Sequence, residues 1–333
     1  MKKLVKIFII LIFLLECRLF YLFPIPSILS KYNTYHNKFI IFFMIIFIFM
    51  ILVLNKKSIR IIQKFKFNKI IVFFLFIFFS EYIISYVNYH QSLKDITVSS
   101  YYFLIILFYY VIMFYLYTTK DIKFIKKIII LFSLILSIVF IVQAVAYNLN
   151  GNLFLKISDL DLQNISYRNH TIRLTYPSTL ISLAIVLSFS EIIKYKNIIY
   201  NNSKMLNILN VIFGIYYMIY VCQTRMLIVS ILVSFVVMLL FKTKKNMLRK
   251  ISTIVILVVA ILVFINSHIM REFILSFNDP ANQVSNTYRM EEISFYLQQI
   301  KDNIFFGRGF INPIIGTNSF YLVHGYQGYL VTT

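Results

Sequence analysis

Long apolar runs separated by short polar stretches dominate the sequence. The runs are roughly 16–20 residues long, close to the length that an α-helix needs to cross the hydrocarbon core of a membrane. Nine such runs lie at about 4–22, 39–54, 70–89, 101–117, 128–147, 176–192, 205–222, 226–241 and 251–267. A tenth begins near Tyr326 and stops at Thr333, so we expect the sequence to be truncated at its C-terminus. The pattern predicts an all-α, polytopic integral membrane protein in which residues 1–333 form a single membrane domain.

Composition supports the membrane class and changes how the charge is interpreted. Hydrophobic residues make up 60% of the 333 residues, more than a soluble domain of this size carries. The net charge of +21 would suggest nucleic-acid binding in a soluble chain. Here it indicates basic loops on one side of a bilayer, and no nucleic acid is expected as a partner.

The positions of Lys and Arg predict the orientation of the chain. Successive loops fall alternately on the two sides of the membrane. The loops on one side hold 21 basic and two acidic residues, whereas those on the other side hold 11 basic and eight acidic residues. Because cytoplasmic loops carry the excess of Lys and Arg, the more basic loops and the N-terminus are predicted to be cytoplasmic. The sequence therefore predicts a multi-pass membrane protein whose N-terminus is cytoplasmic.

Two loops on the predicted outer face are long, at 148–175 and 268–325. In the second, Asn286 or Thr287 is positioned to cap a short interfacial helix whose apolar side includes Ile293, Leu297 and Ile300. The cytoplasmic loops are too short for a nucleotide-binding fold, and the sequence contains no P-loop or dinucleotide fingerprint. Any chemistry is therefore expected on the outer face, without ATP or a nucleotide sugar, and no cofactor is expected.

Two arginines stand where outer-face helices are predicted to begin. Arg225 opens the apolar run that ends at 241, and Arg173 comes shortly before Pro177, which suits the first turn of a helix. Helix N-termini carry partial positive charge and free N–H groups, so each arginine adds to a natural anion site. The alternative is that both are snorkelling arginines, which are common at helix ends.

Three further residues of the long second loop are candidates for a site. His324 can titrate near neutral pH and precedes the start of the tenth run. Arg289 lies in the predicted interfacial helix, and Arg308 stands between Gly307 and Gly309. The alternatives are a structural histidine, a surface helix and a simple turn.

In order, these features resemble the bacterial O-antigen polymerase and O-antigen ligase superfamily, over roughly residues 120–333. The motifs that carry the resemblance are Arg173-x-x-x-Pro177, Thr224-Arg225-x-Leu227, Arg289 with the segment from Asn303 to Gly309, and His324 before the last span. The sequence departs from the usual pattern at Met226, at His324-Gly325 and in lacking a proline before the G-x-G.

The resemblance implies a metal-independent, inverting glycosyltransferase that acts on the outer face of the bacterial plasma (inner) membrane. Its donor would be an oligosaccharide linked to polyprenyl diphosphate. Arg225 and Arg173 would bind the diphosphate, His324 would act as general base, and Arg289 and Arg308 would contact the diphosphate or sugar. Its partners would include membrane lipids, a flippase and a chain-length regulator.

Three functions are compatible with the sequence. A polysaccharide polymerase would transfer glycan to a lipid-linked acceptor repeat unit, and an O-antigen ligase would transfer it to a different acceptor. A flippase or transporter for the same lipid-linked glycan would require polar residues near the middle of several spans, and the sequence shows few. The polymerase is therefore the preferred interpretation.

Overall fold

The computed structural model describes residues 2–17, 34–88, 90–151, 166–168, 171–174, 178–194, 202–242, 280–302 and 310. They form two compact units, one drawn from residues 1–68 and 104–238 and the other from residues 69–103 and 239–331. That the whole chain is one membrane domain stays a prediction.

The described residues are almost entirely helical. In chain order the α-helices are α1 (Lys2–Glu16), α2 (Thr34–Leu54), α3 (Lys56–Ile62), α4 (Asn68–Val87), α5 (Leu93–Ser100), α6 (Phe108–Thr119), α7 (Ile122–Asn150), α8 (Ser178–Lys194), α9 (Asn202–Tyr216), α10 (Arg225–Lys242) and α11 (Pro280–Asp302). A 3₁₀-helix, Tyr101–Leu107, precedes α6, and a π-helix, Tyr217–Cys222, continues α9. Strands β1 (Ser166–Arg168) and β2 (Thr171–Arg173) form an antiparallel hairpin.

Four helical segments within the described part of the chain are long and apolar enough to cross a membrane. They are Asn37–Leu54, Asn68–Val87, Ile122–Asn150 and Lys204–Cys222. Shorter apolar helices cover Phe103–Thr119, Ser178–Ile193 and Met226–Leu239. The prediction of an all-α, multi-pass membrane protein is therefore confirmed in outline. The number of nine spans stays a prediction, because residues 18–22, 251–267 and 311–333 lie outside the described residues.

The bounds of several elements differ from those predicted. Helix α7 extends beyond the expected span 128–147 at both ends, because capping residues and not hydropathy decide where it stops. Asp121 accepts a hydrogen bond from the Phe124 amide at 3.0 Å, and Gly151 ends the helix with a φ of 68°. The predicted span 101–117 begins as the 3₁₀-helix and continues as α6.

The helix predicted in the second long loop also begins earlier than expected. Helix α11 starts at Pro280 and runs through Asn286 and Thr287, so neither residue caps it. Pro280 suits the first position of a helix, where its missing N–H is not needed. That this helix lies at a membrane interface stays a prediction.

A bundle of α7, α8, α9 and the π-helix positions the candidate site. Its apolar core includes Leu136, Ile181, Ile185 and Tyr217, each almost completely buried. Near one end of the bundle, Lys126 Nζ of α7 lies 2.7 Å from Glu191 Oε1 of α8. Because Lys126 is close to the start of α7 and Glu191 close to the end of α8, these two helices run antiparallel.

Helix α9 packs closely and in an antiparallel sense against α8. Asn210 Nδ2 donates to Ser188 Oγ at 2.9 Å, and both residues are fully buried. One turn further along α9, a Cβ built on Gly214 would lie 2.6 Å from Ile185 Cγ1. Glycine therefore lets the two helices approach each other here. The buried polar residues of α9, which were not anticipated from the apolar pattern, are Lys204, Asn207 and Asn210.

Candidate functional site

The link between the π-helix and α10 is a tight turn of two residues, Gln223 and Thr224. Gln223 is in the left-handed region, with φ 52° and ψ 27°. Its amide donates to Met218 O at 3.0 Å, a bond that spans five residues and closes the wide turn of the π-helix. The Thr224 carbonyl accepts the first helical bond of α10, from Ile228 N at 3.2 Å. Arg225 is therefore the first residue of α10, as the sequence predicted.

The β-hairpin brings Arg173 to this turn. In the hairpin Ser166 pairs with Arg173 and Tyr167 with Ile172. Side chains alternate between the two faces of a strand. Ile172 is fully buried and Leu174 is 6% exposed, whereas Arg173 is only partly buried. The apolar residues on either side of Arg173 thus anchor the strand and leave the guanidinium at the surface of the bundle.

Arg173 contacts the end of the π-helix and the start of α10. Its Nε donates to Cys222 O at 2.9 Å, and its Nη2 donates to Thr224 Oγ1 at 3.4 Å. The neighbouring amide, Leu174 N, donates to Val221 O at 3.2 Å. The last carbonyls of a helix have no partner inside the helix. Arg173 and Leu174 supply partners for two of them, and this places Arg173 beside the residue that precedes Arg225.

The arginine turn, defined here as Arg173 together with residues Gln223 to Arg225, lies at one end of the bundle. Helix α8 begins shortly after Arg173 and runs towards Glu191, which pairs with Lys126 at the other end. Helix α9 and the π-helix run back from that end to Gln223. Arg173 and the first residue of α10 therefore share one end of the bundle, opposite the Lys126–Glu191 pair.

The arrangement is suited to an anion. A guanidinium has five N–H donors in a planar fork, and the described contacts of Arg173 use two of them. The N-terminus of α10 adds the positive end of a helix dipole. The last carbonyls of the π-helix carry partial negative charge, which disfavours an anion. The hydrogen bonds that Arg173 and Leu174 donate to the Cys222 and Val221 carbonyls offset that charge.

The other predicted site residues are not brought to this turn by the described part of the chain. His324 and Arg308 lie outside the described residues. Arg289 lies within α11, and its side chain also lies outside what is described. Among the residues that the structure describes, no group of three or more His, Cys, Asp or Glu could hold a metal ion. That the chemistry needs no metal ion stays a prediction.

The sequence patterns did not identify several residues that surround the arginine turn. Tyr217 is fully buried, and its hydroxyl donates to Leu174 O at 2.9 Å. Cys222 Sγ lies 3.0 Å from Thr224 Oγ1. One signal for the hairpin was available, because Asn169, a residue type common in turns, stands between two short runs of strand-forming residues. The π-helix has no comparable signal.

Comparison with known proteins agrees with the resemblance found in the sequence. A model of the O-antigen ligase family matches residues 209–333, which include the π-helix, the turn and α10. No curated protein and no solved structure matches the chain. Arg173 lies outside the matched range but contacts Cys222 and Thr224 inside it. The predicted resemblance to the O-antigen polymerase and ligase superfamily is confirmed over this C-terminal part of the chain, residues 209–333.

Proposed function

We propose that this protein is a polysaccharide polymerase of the outer face of the plasma membrane. It transfers glycan from a polyprenyl-diphosphate donor to the sugar hydroxyl of a lipid-linked acceptor repeat unit. The observation that carries the proposal is the position of Arg173, whose guanidinium is tied to Cys222 and Thr224 at the start of the helix that Arg225 opens.

The chemistry follows from the charge that develops on the leaving group. The acceptor oxygen forms a bond to the anomeric carbon of the donor as the bond from that carbon to the diphosphate oxygen breaks. The electron pair leaves with the polyprenyl diphosphate, whose negative charge increases. Arg173 and Arg225 stabilise that charge, and each well-aimed donor in a water-poor site contributes about 3–4 kcal/mol. Arg289 and Arg308 contact the diphosphate or sugar from the second long loop.

His324 accepts the proton of the attacking hydroxyl in this proposal. At low pH the imidazole is protonated and cannot act as a base, so the rate falls on the acidic side of the pH profile. We expect His324→Gln to lower the rate by about 10²–10⁴ and to remove that acidic fall. The measurement is the pH dependence of polymer formation by the purified protein. A His324→Gln variant that keeps the acidic limb unchanged would exclude His324 as the base.

The antiparallel bundle supports an outer-face site. Lys126 and Glu191 lie in helical ends that the charge pattern assigns to the cytoplasmic side, and the arginine turn lies at the opposite end of the bundle. With basic loops inside, the arginine turn faces outwards, where a flipped lipid-linked donor is available.

Deleting the gene and separating the surface glycan by size distinguishes the candidate functions. We expect a lipid-linked single repeat unit and no polymer in the deletion strain. Restoration of the polymer by the full chain is the control. Full-length polymer that stays on its lipid carrier would instead indicate a ligase, and the absence of repeat units from the outer face would indicate a flippase.

A further inference from the structure

The position of Arg173 depends on contacts to both its backbone and its side chain. The strand that carries it is held by Leu174, whose amide donates to Val221 O and whose carbonyl accepts from Tyr217. The guanidinium itself is held by Cys222 O and Thr224 Oγ1. All of these partners belong to the π-helix or to the turn that follows it.

Tyr217 supplies the contact that is most deeply buried. The residue is fully buried, and its ring lies 6.2 Å from that of Phe140. Its hydroxyl donates to Leu174 O at 2.9 Å. Leu174 is itself 6% exposed. If the Tyr217 hydroxyl were removed, little water would be available to replace it as the donor to Leu174 O. Leaving a buried carbonyl unpaired is unfavourable, and the strand next to Arg173 would shift to find another donor.

Thr224 supplies the contact to the guanidinium. Its hydroxyl accepts from Arg173 Nη2 at 3.4 Å and lies 3.4 Å from Cys222 O, the same carbonyl that accepts from Arg173 Nε. The carbonyl and the hydroxyl therefore hold the two donors, Nε and Nη2, of one edge of the guanidinium fork. A fork held along one edge presents its remaining donors in a defined direction, which is what a diphosphate with several charged oxygens requires.

The π-helix makes this arrangement possible. Its wider turn ends with the bond from Gln223 N to Met218 O, and Gln223 then turns the chain in the left-handed conformation. The carbonyls of Val221 and Cys222 are thereby available to Leu174 and Arg173. π-Helical turns inside α-helices occur frequently at functional sites.

We infer that Tyr217 and Thr224 are positioning residues that orient the Arg173 guanidinium towards the diphosphate of the lipid-linked substrate. The inference rests on the proposed diphosphate site. It assigns these two residues no contact with the reacting atoms, because they act through Arg173. It also predicts that their effect is on diphosphate affinity and rate and is separable from the stability of the fold.

Isosteric substitutions test the inference in the full-length protein purified in detergent. Tyr217→Phe and Thr224→Val each remove a hydroxyl and keep the shape of the side chain. Radiolabelled farnesyl diphosphate, a short prenyl diphosphate, is the probe for equilibrium binding, measured well below the unfolding temperature. We expect about three- to tenfold weaker binding for each variant, the effect of losing one hydrogen bond, and near-normal binding for Thr224→Ser, which retains a hydroxyl.

Matched controls separate positioning from a general loss of packing. Tyr110→Phe removes a hydroxyl that donates to Asn68 Oδ1 at 2.8 Å, and Tyr110 is also almost completely buried. Thr118→Val removes a hydroxyl that donates to Phe114 O at 2.8 Å. Neither control residue contacts Arg173 among the hydrogen bonds of the described residues, so both variants are expected to bind the probe normally.

The outcomes distinguish this inference from the proposed function. If Arg173→Ala and Arg225→Ala abolish binding while Tyr217→Phe and Thr224→Val bind normally, the diphosphate site stands and the positioning role is wrong. If the arginine variants also bind normally, the diphosphate site and the positioning role are both wrong. Weak binding by Thr224→Ser, or equal weakening in the two control variants, would likewise overturn the positioning role.

Discussion

Arg173→Ala is expected to abolish polymer formation while single repeat units accumulate on their lipid carrier. The guanidinium that Cys222 O and Thr224 Oγ1 hold in place is lost, and with it the donors proposed to stabilise the departing diphosphate. Removing one preorganised donor of this type lowers the rate by about 10²–10³. The measurement combines a gel of the surface glycan with mass spectrometry of the lipid-linked repeat units.

Arg225→Ala is expected to give the same result, because Arg225 is the first residue of α10 and is proposed to bind the same diphosphate. Lysine should restore neither position fully. A lysine ammonium keeps the charge but lacks the planar fork that binds phosphate through two hydrogen bonds. At position 173 it also lacks the Nε that donates to Cys222 O.

Arg60→Ala is the matched control for both arginine variants. Arg60 lies in the last turn of α3, and its replacement removes the same charge and volume elsewhere in the chain. We expect normal polymer from this variant. Polymer of normal length and amount from Arg173→Ala or Arg225→Ala would exclude that residue from the proposed diphosphate site.

Gly214→Leu is expected to be the most destabilising single change in the bundle. A Cβ at this position would lie 2.6 Å from Ile185 Cγ1 and 2.9 Å from Ile185 Cδ1. Ile185 is fully buried, so it has little room to move away. Overpacking of a core commonly costs about 1–3 kcal/mol, and the larger leucine side chain is expected to exceed that range. The measurement is the thermal unfolding of the purified protein in detergent.

Two further variants identify the cause of this destabilisation. Gly214→Ala should lower the unfolding temperature less than Gly214→Leu. Gly214→Ala should also cost less stability in an Ile185→Ala background than in the parent, because the shortened side chain makes room for the new methyl group. Gly151→Ala is the contrasting control, because the Cβ would meet nothing within 4 Å and only the φ of 68° is unfavourable. A Gly214→Leu protein as stable as the parent would show that α8 and α9 do not need this close approach.

The sequence predicted element boundaries correctly where an apolar run ends at a short polar stretch. Arg225 was correctly placed at the first residue of a helix, because three polar residues separate two apolar runs there. The ends of α7 were placed wrongly, because they depend on Asp121 and Gly151, which the apolar pattern does not register. The same limitation explains why α11 begins at Pro280 and not at the expected cap.

Contacts between distant residues could not be predicted in the same way. That Arg173 would meet Cys222 and Thr224 depends on a hairpin, a π-helix and the packing of α8 against α9, and no local pattern specifies all three. Arg173 and Arg225 were paired only because both precede helices predicted to start on one face. The buried pair Ser188 and Asn210 shows the same limitation, since each residue alone looks like an isolated polar position in an apolar run.

The unequal lengths of α7 and α8 leave α7 projecting beyond the start of α8. At 1.5 Å per residue, the 29 residues of α7 extend about 43 Å, which matches a bilayer with both headgroup layers. Measured from the level of Lys126 and Glu191, α7 continues for about 36 Å, whereas α8 reaches its first residue after about 20 Å. The first residue of α8, which follows the strand that carries Arg173, therefore lies roughly 16 Å short of the far end of α7. In the proposed function, a diphosphate bound near this level would leave its prenyl chain among the acyl chains.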